Sequence, residues 1–122
     1  MIKGQFLGNT PIIPISIVWG DAIRHPNVVL DTGFSGDLQV TPKHAQILGL
    51  QINGVTKTQI ANGQVIEIPT ALVIALMEGE HHYIQVQIAD SFPLAGINLL
   101  TQFSYKAIVD CKERTVELQK AS

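Results

Sequence analysis

Residues 28–36 read Val28-Val29-Leu30-Asp31-Thr32-Gly33-Phe34-Ser35-Gly36. An apolar triplet ends abruptly at an aspartate, and the two glycines that follow favour a turn over a continued strand. The pattern predicts a short buried strand that delivers the carboxylate of Asp31 to a loop. Because a glycine in this loop lets backbone N–H groups approach, the loop can hold an ionisable acid in a fixed position.

A second apolar-apolar-glycine element follows later in the chain, as Leu94-Ala95-Gly96. Residues 97–103 come directly after it and predict a short helical turn. An Asp-Thr-Gly tripeptide alone is weak evidence, since any given tripeptide occurs by chance in roughly one percent of chains of this length. The second glycine element supplies the context that makes the first one informative.

The composition favours strands over helices. The chain has 122 residues, of which 46% are apolar and 15% charged, and its formal net charge is -2. These values predict a single domain over residues 1–122 and an all-β fold, closed or barrel-like, with one or two short helices. Because the eight basic residues are scattered, we expect no nucleic-acid partner.

The apolar runs and the single cysteine restrict the environment of the protein. The longest apolar run, residues 71–77, is far shorter than the roughly 20 residues that span a bilayer, so no membrane helix is expected. The N-terminus lacks the pattern of a secretory signal, which predicts a cytoplasmic protein. Cys111, being alone, cannot form an intramolecular disulfide, and we expect it to pack as a small apolar residue.

Turn signals divide the rest of the chain. Residues 8–11, Gly8-Asn9-Thr10-Pro11, predict the turn of an opening hairpin, and residues 20–26 predict a polar connection. Thr41 and Gly49 predict the two caps of a helix over Pro42–Leu48, whose apolar residues Ala45, Ile47 and Leu48 should face inward and leave the polar ones to solvent. Further turns are predicted at Asn53-Gly54, Asn62-Gly63 and residues 78–80, and a final hairpin at residues 105–119.

In the order and spacing of these elements the sequence resembles the retroviral-type (retropepsin-like) aspartic peptidases, in particular their single-domain bacterial relatives. The resemblance implies an aspartic endopeptidase in which Asp31 is the catalytic aspartate and Gly33 donates a backbone N–H to its carboxylate. It also implies that the Thr32 hydroxyl ties two active-site loops together across a dimer axis. Ser35 would donate a hydrogen bond to the outer carboxylate oxygen.

The chemistry of this class requires two carboxylates that share one proton, since close like charges cannot both ionise. The chain has one Asp-Thr-Gly, because Asp21, Asp37, Asp90 and Asp110 lack the Thr-Gly sequel. The second carboxylate must then come from a second copy, which predicts a C2 homodimer. No cofactor and no metal are expected.

The resemblance also implies a substrate site for an extended polypeptide. Ala61, Asn62 and Gly63 are predicted at the tip of a hairpin flap, with residues 56–59 and 65–68 as its arms. The walls of the site beside the scissile bond are predicted to be apolar, formed by Val29, Phe92 and Leu94.

The chain departs from the retroviral pattern beside both glycines, and the sequence also leaves an alternative function open. Retroviral members often carry an arginine after the late glycine and an acidic residue two positions after the early one, whereas this chain has Ile97 and Ser35. The alternative is a catalytically weak or inactive dimeric peptide-binding or assembly module of the same fold.

His81-His82 is interpreted as part of a solvated turn, because neighbouring strand residues point to opposite faces and cannot both bind one metal ion.

Overall fold

The computed structural model describes residues 1–121 as strands with two short helices. This confirms the mostly β prediction. The elements are β1 (Ile2–Lys3), β2 (Gln5–Leu7), β3 (Thr10–Pro14), β4 (Ser16–Trp19), β5 (Ala22–Arg24), β6 (Asn27–Leu30), β7 (Leu38–Val40), α1 (Pro42–Leu48), β8 (Gly54–Gln59), β9 (Val65–Met77), β10 (Glu80–Ile88), β11 (Leu94–Ala95), α2 (Ile97–Gln102), β12 (Tyr105–Asp110) and β13 (Thr115–Lys120).

The strands form two sheets. The larger one has the order β2-β3-β6-β11-β7-β10-β9-β4-β5, and β8 pairs with β9 beside this path. The sheet curls into a half-barrel, which stays open because its end strands β2 and β5 each pair on one side only within residues 1–121. The smaller sheet has the order β1-β13-β12 and brings the two ends of the chain together.

The core of the large sheet is built by alternation along its long strands, which in β9 holds from Ala71 onward. In β9, Ala71, Val73, Ala75 and Met77 are buried, while Leu72 between them is 46% exposed. Successive side chains of a strand point to opposite faces, so one face supplies the core and the other meets solvent. β10 continues the inner face with Ile84, Val86 and Ile88.

Helix α1 forms where the cap residues predict it. The Thr41 side chain accepts a hydrogen bond from the His44 N–H at 3.1 Å, and Gly49 ends the helix at a φ of 72°. Ala45 is buried as expected. The expectation that Ile47 packs inward is wrong, since its side chain is 65% exposed. The helix is only two turns long, and only a narrow stripe of its surface faces the sheet.

Some turn predictions are confirmed and others are wrong. The opening hairpin is confirmed, but its turn is only Gly8-Asn9, because Thr10 and Pro11 already pair with Leu7 and Phe6. The connection predicted at residues 20–26 contains β5, because Gly20 turns the chain at a φ of 57° and Ala22 then pairs with Trp19. Gly54 is not in a turn. It opens β8 opposite Thr70, since the thirteen residues of β9 are long enough to pair with the whole of β8.

The turn between β9 and β10 joins the large sheet to the small one. Glu78 accepts hydrogen bonds from the N-terminal amino group of Met1 and from the Tyr105 hydroxyl, the latter at 2.7 Å. On the other side of the turn, the Lys120 ammonium lies 3.1 Å from a Glu80 carboxylate oxygen and 4.3 Å from the centre of the Tyr105 ring. These contacts fix the small sheet against the rest of the molecule.

The remaining sequence-based expectations can be compared with particular positions. Cys111 is exposed in the turn between β12 and β13, so the expectation that it packs is wrong, because β12 ends at Asp110 and releases the chain to solvent. No helix within residues 1–121 is long and apolar enough to cross a membrane.

Candidate active site

Asp31 directly follows β6, which is paired with β3 on one side and with β11 on the other. Val28 and Leu30 point into the core, and burying each contributes about 1.5–3 kcal/mol to the free energy of folding. The Asp31 N–H donates to the Ala95 carbonyl at 2.9 Å. The backbone of the aspartate is thus held by the sheet itself.

The loop after β6 binds the carboxylate through its own backbone. The Gly33 N–H donates to Asp31 Oδ1 at 2.9 Å, and the Phe34 N–H donates to the Asp31 carbonyl at 3.1 Å. Within residues 1–121 the structure gives Asp31 Oδ2 no partner, and the residue is half-buried. One carboxylate oxygen is therefore fixed, and the other is free to meet a second group.

Two glycine segments interlock behind this loop. Gly96 lies so close to the 34–36 backbone that an added Cβ atom would stand 2.3 Å from the Gly36 carbonyl oxygen and 2.6 Å from that of Phe34. In return, the Ile97 N–H donates to the Phe34 carbonyl at 2.9 Å. Only a residue without a side chain fits here, and this accounts for the glycine after Leu94-Ala95.

Comparisons with known proteins bear on this arrangement. No protein-family model and no curated protein matches the sequence. The EIAV protease complexed with the inhibitor HBY-793 has a similar structure, with a TM-score of 0.61 and 22% identity over 84% of this chain and 96% of that chain. A retropepsin-like aspartic protease from Rickettsia conorii gives a TM-score of 0.59 and 18% identity over 100% of this chain and 90% of its own.

The chain has the retropepsin-like fold. The resemblance expected from residues 28–36 and 94–102 is confirmed at the level of the fold. In this retropepsin-like fold the Asp31 loop and the Gly96 segment are neighbours because β11 inserts between β6 and β7, pairing parallel with the first and antiparallel with the second.

Asp37 is a site residue that the sequence analysis missed. The residue is buried, and its carboxylate accepts hydrogen bonds from Asn98 Nδ2 at 2.7 Å, Gln102 Nε2 at 2.9 Å and the Gln85 N–H at 2.9 Å. Its carbonyl also accepts the Gly96 N–H at 3.0 Å. The spacing of Asn98 and Gln102 was the available signal, because residues four apart on a helix share one face.

Thr32 and Ser35 are both exposed in the loop. In the part of the chain that the structure describes, neither side chain forms a hydrogen bond with the Asp31 carboxylate. The roles predicted for these two residues require either a partner subunit or a shift of the loop, and they stay predictions.

Of the three residues predicted to form apolar walls, Val29 and Phe92 line one cavity, and Leu94 is paired with Val29 but does not line it. Val29 pairs with Leu94 across β6 and β11, and the Val29 N–H donates to the Pro93 carbonyl at 2.8 Å. Val29 and Phe92 line a cavity of about 300 Å³ together with Pro93 and Leu7. Phe92 is 76% exposed, so a large aromatic side chain stands in solvent at the rim of this cavity.

Ala61, Asn62 and Gly63 form the tip of the hairpin between β8 and β9. The Gly63 N–H donates to the Ile60 carbonyl at 2.9 Å, and Gly63 has a φ of 84°. This is a type I turn followed by a left-handed residue, a three-residue loop where Asn62-Gly63 alone had predicted a two-residue one. The hydrogen bonds that the structure gives the tip are all within the hairpin.

Two contacts position the His82 side chain on strand β10. Its Nε2 lies 2.6 Å from a Glu80 oxygen, and its ring meets the edge of Phe103 at a centroid distance of 4.6 Å. Within residues 1–121, no three His, Cys, Asp or Glu side chains are grouped to hold a metal ion.

Proposed function

We propose that this protein is a homodimeric aspartic endopeptidase that hydrolyses peptide bonds with a water molecule activated by two Asp31 carboxylates. The observation that carries the proposal is the 2.9 Å hydrogen bond from the Gly33 N–H to Asp31 Oδ1, made in a loop that the Gly96 segment locks in place. The retropepsin-like fold of the chain supports the same reading.

The half-site of one chain supports the need for a partner. Among the residues that the structure describes, one Asp31 carboxylate oxygen has no partner, and the next residue, Thr32, is exposed. A C2 axis beside the loop would bring two Asp31 carboxylates together and let each Thr32 hydroxyl bond the opposite loop. The two carboxylates would then share one proton, because like charges at such a distance cannot both ionise.

The reaction follows from this shared proton. The ionised carboxylate takes a proton from water as the water oxygen bonds to the peptide carbonyl carbon, and the protonated carboxyl donates its proton to the carbonyl oxygen. The tetrahedral intermediate then breaks its C–N bond as the amide nitrogen receives a proton from the dyad. Gly33 holds each Asp31 in position throughout, and no cofactor is needed.

The surroundings of Asp31 support an extended polypeptide as the substrate. Val29 and the exposed Phe92, which line one cavity, would offer apolar surface for side chains next to the scissile bond, with Leu94 on the strand paired to Val29. The hairpin tip with Ala61, Asn62 and Gly63 would close over the peptide, exclude water and hold the chain by strand-like hydrogen bonds.

The test compares the native protein with Asp31→Asn on a panel of peptides with apolar residues at their centre. The amide keeps the shape of the side chain but cannot act as a general base, so we expect cleavage to be abolished while dimerisation and thermal stability are kept. Native activity should follow a bell-shaped pH profile whose apparent pKa values belong to the pair. Cleavage by Asp31→Asn at the native rate would overturn the proposal.

A second outcome points to the alternative function. If neither protein cleaves any peptide from acid to neutral pH, yet both dimerise and bind peptide, the chain is a peptide-binding module and not a peptidase.

A further inference from the structure

The cavity of about 300 Å³ that Val29 lines continues into a second cavity of about 370 Å³. The two cavities share three lining residues, which are Asn27, His44 and Pro93. They are therefore two parts of one groove. The second part, which we call the α1 cavity, is bounded on its other side by Ile47 and Leu48 of helix α1. The groove thus leads from the strand that carries Asp31 to this helix.

The groove follows strand β6 away from the Asp31 loop. Asn27 and Val29 lie on the outer face of β6, since Val28 and Leu30 alternate with them and are buried. A strand advances about 3.3 Å per residue, so Asn27, four residues before Asp31, lies about 13 Å from it. An extended peptide covers the same distance in about four residues. A peptide bound at Asp31 can therefore reach the α1 cavity with a residue about four positions from the scissile bond.

Apolar side chains are exposed at both ends of the groove. Ile47 is 65% exposed and does not belong to the hydrophobic core. Phe92 is 76% exposed at the other end, in the cavity that Val29 lines. A concave surface with exposed apolar side chains is typical of a binding site, because an apolar ligand removes that surface from water.

Charged side chains do not line the groove. Among residues 1–121, no Lys, Arg, Asp or Glu lines either cavity, and His44 is the one ionisable residue that does. Taking a charged side chain out of water without a partner is costly. The groove therefore favours a peptide with uncharged, apolar side chains over a charged one.

Two polar side chains that line both cavities can hold a peptide backbone. His44 Nδ1 lies 2.7 Å from the Thr41 hydroxyl oxygen, and Nε2 has no partner in the part of the chain that the structure describes. When the hydroxyl donates to Nδ1, the proton of the neutral ring is on Nε2, which can then donate to a peptide carbonyl. Asn27 is exposed, and its amide carries both donors and an acceptor. Both residues lie where a bound chain would pass from one cavity to the other.

We propose that the α1 cavity binds an apolar residue of the substrate, about four positions from the scissile bond. The inference rests on the proposed function and extends the substrate that this function requires. In a C2 dimer each subunit supplies one such cavity, so one serves the residues before the scissile bond and the other serves those after it. The preferred substrate is then an extended segment of about eight residues or more, apolar at its centre and at both outer positions.

The test compares two peptides with the same apolar centre, one with Leu and one with Ser four positions from the scissile bond on both sides. The native protein should cleave the Leu peptide with a kcat/KM about tenfold above that of the Ser peptide. Ile47→Ala removes apolar surface from the α1 cavity and should reduce this preference to about threefold or less. Ile23→Ala is the matched control, because Ile23 on β5 is 52% exposed and lines neither cavity, and it should keep the native preference.

The role of His44 is tested by peptide length. A six-residue peptide, with three residues on each side of the scissile bond, ends before the α1 cavity, whereas the Leu peptide reaches it. His44→Leu should lower the kcat/KM advantage of the longer peptide by about fivefold, because the Nε2 donor is lost. His44→Gln keeps an N–H donor and should retain most of this advantage. Thermal melts of each variant check that helix α1, which Thr41 caps, is still folded.

Peptide affinity for the Asp31→Asn protein, measured by fluorescence anisotropy, separates this inference from the proposed function. Tighter binding of the Leu peptide that Ile47→Ala removes, without cleavage by the native protein, would support the α1 cavity and contradict the peptidase. Cleavage of the Leu and Ser peptides with equal kcat/KM would support the peptidase and overturn the α1 cavity as a binding site. A preference for Leu that Ile47→Ala leaves intact, or no binding of either peptide, would overturn it as well.

Discussion

Asp37 accepts a hydrogen bond of 2.7 Å from Asn98, a residue 61 positions further along the chain. Gln102, one helical turn later, donates to the same oxygen at 2.9 Å. The bonds tie the end of the Asp31 loop to helix α2, directly behind the glycine interlock. These bonds brace the loop against the helix. The chain has Ile97 and Ser35 where retroviral relatives often carry an arginine and an acidic residue.

Replacing Asp37 should therefore destabilise the fold. Asp37→Ala leaves three donors without an acceptor in a buried setting, and we expect the free energy of unfolding to fall by about 2–4 kcal/mol in urea denaturation. Asp37→Asn should cost less, because its amide oxygen still accepts from the two helix side chains. Asp21→Ala, at an exposed turn, serves as the control and should stay within about 0.5 kcal/mol of native. Equal stability of the two alanine variants would contradict the assigned brace.

The glycine interlock predicts opposite outcomes at two glycines. Gly96→Ala forces a Cβ atom to 2.3 Å from a carbonyl oxygen, and since backbone cannot move aside cheaply, we expect a loss of about 3 kcal/mol or more, or no soluble protein. Within residues 1–121, the new Cβ atom of Gly33→Ala comes close only to Asp31 Oδ1, at 3.2 Å, so the protein should fold but cleave peptide poorly, because the carboxylate must shift. Thermal melts and cleavage assays of both variants check this, and a stable, active Gly96→Ala protein would refute it.

The sequence was informative wherever a local pattern had one structural solution. Asp31 after an apolar triplet, Thr41 and Gly49 around α1, and Gly63 at positive φ are all short-range features. Asp37 could not be recognised in the same way, because its significance lies in partners near positions 85, 98 and 102 that only the fold brings together. Gly54 shows the converse, since a local turn preference there is outweighed by pairing with the long strand β9.

The turn that joins the two sheets should make stability depend on pH. The pKa of Glu78 is held below its ordinary value of 4.5, first by its hydrogen bond with the N-terminal amino group and then by that with Tyr105. A carboxyl whose folded pKa is depressed stabilises the fold above its unfolded pKa, and this contribution is lost as the pH falls through the folded value. The native melting temperature should then fall more steeply between pH 5 and pH 3 than that of Glu78→Gln.

Tyr105 gives the opposite sign at alkaline pH. Burial, and then the hydrogen bond to Glu78, raise the pKa of Tyr105 above its ordinary value of 10. The contribution of Tyr105 to stability is complete below pH 10 and is lost as the pH rises further, so Tyr105→Phe should flatten the alkaline limb of the curve of melting temperature against pH.

Glu67→Gln, an exposed change on β9, is the control for altered net charge. Parallel curves for Glu78→Gln and the native protein would show that the turn makes no such contribution.

The hairpin tip can be tested against a turn of equal strain elsewhere. Gly63 and Gly79 have φ values of 84° and 82°, and neither has a heavy atom within 3.8 Å of an added Cβ. Alanine at either position should therefore cost about 1 kcal/mol of stability for the left-handed conformation alone. If the tip closes over the substrate, Gly63→Ala should also lower kcat/KM for peptide cleavage by about fivefold or more, because the closed tip excludes water and aligns the peptide. Gly79→Ala should leave cleavage near native once the assay temperature is well below its Tm. Equal losses of kcat/KM in the two variants would mean that stability, not closure of residues 60–64, controls the rate.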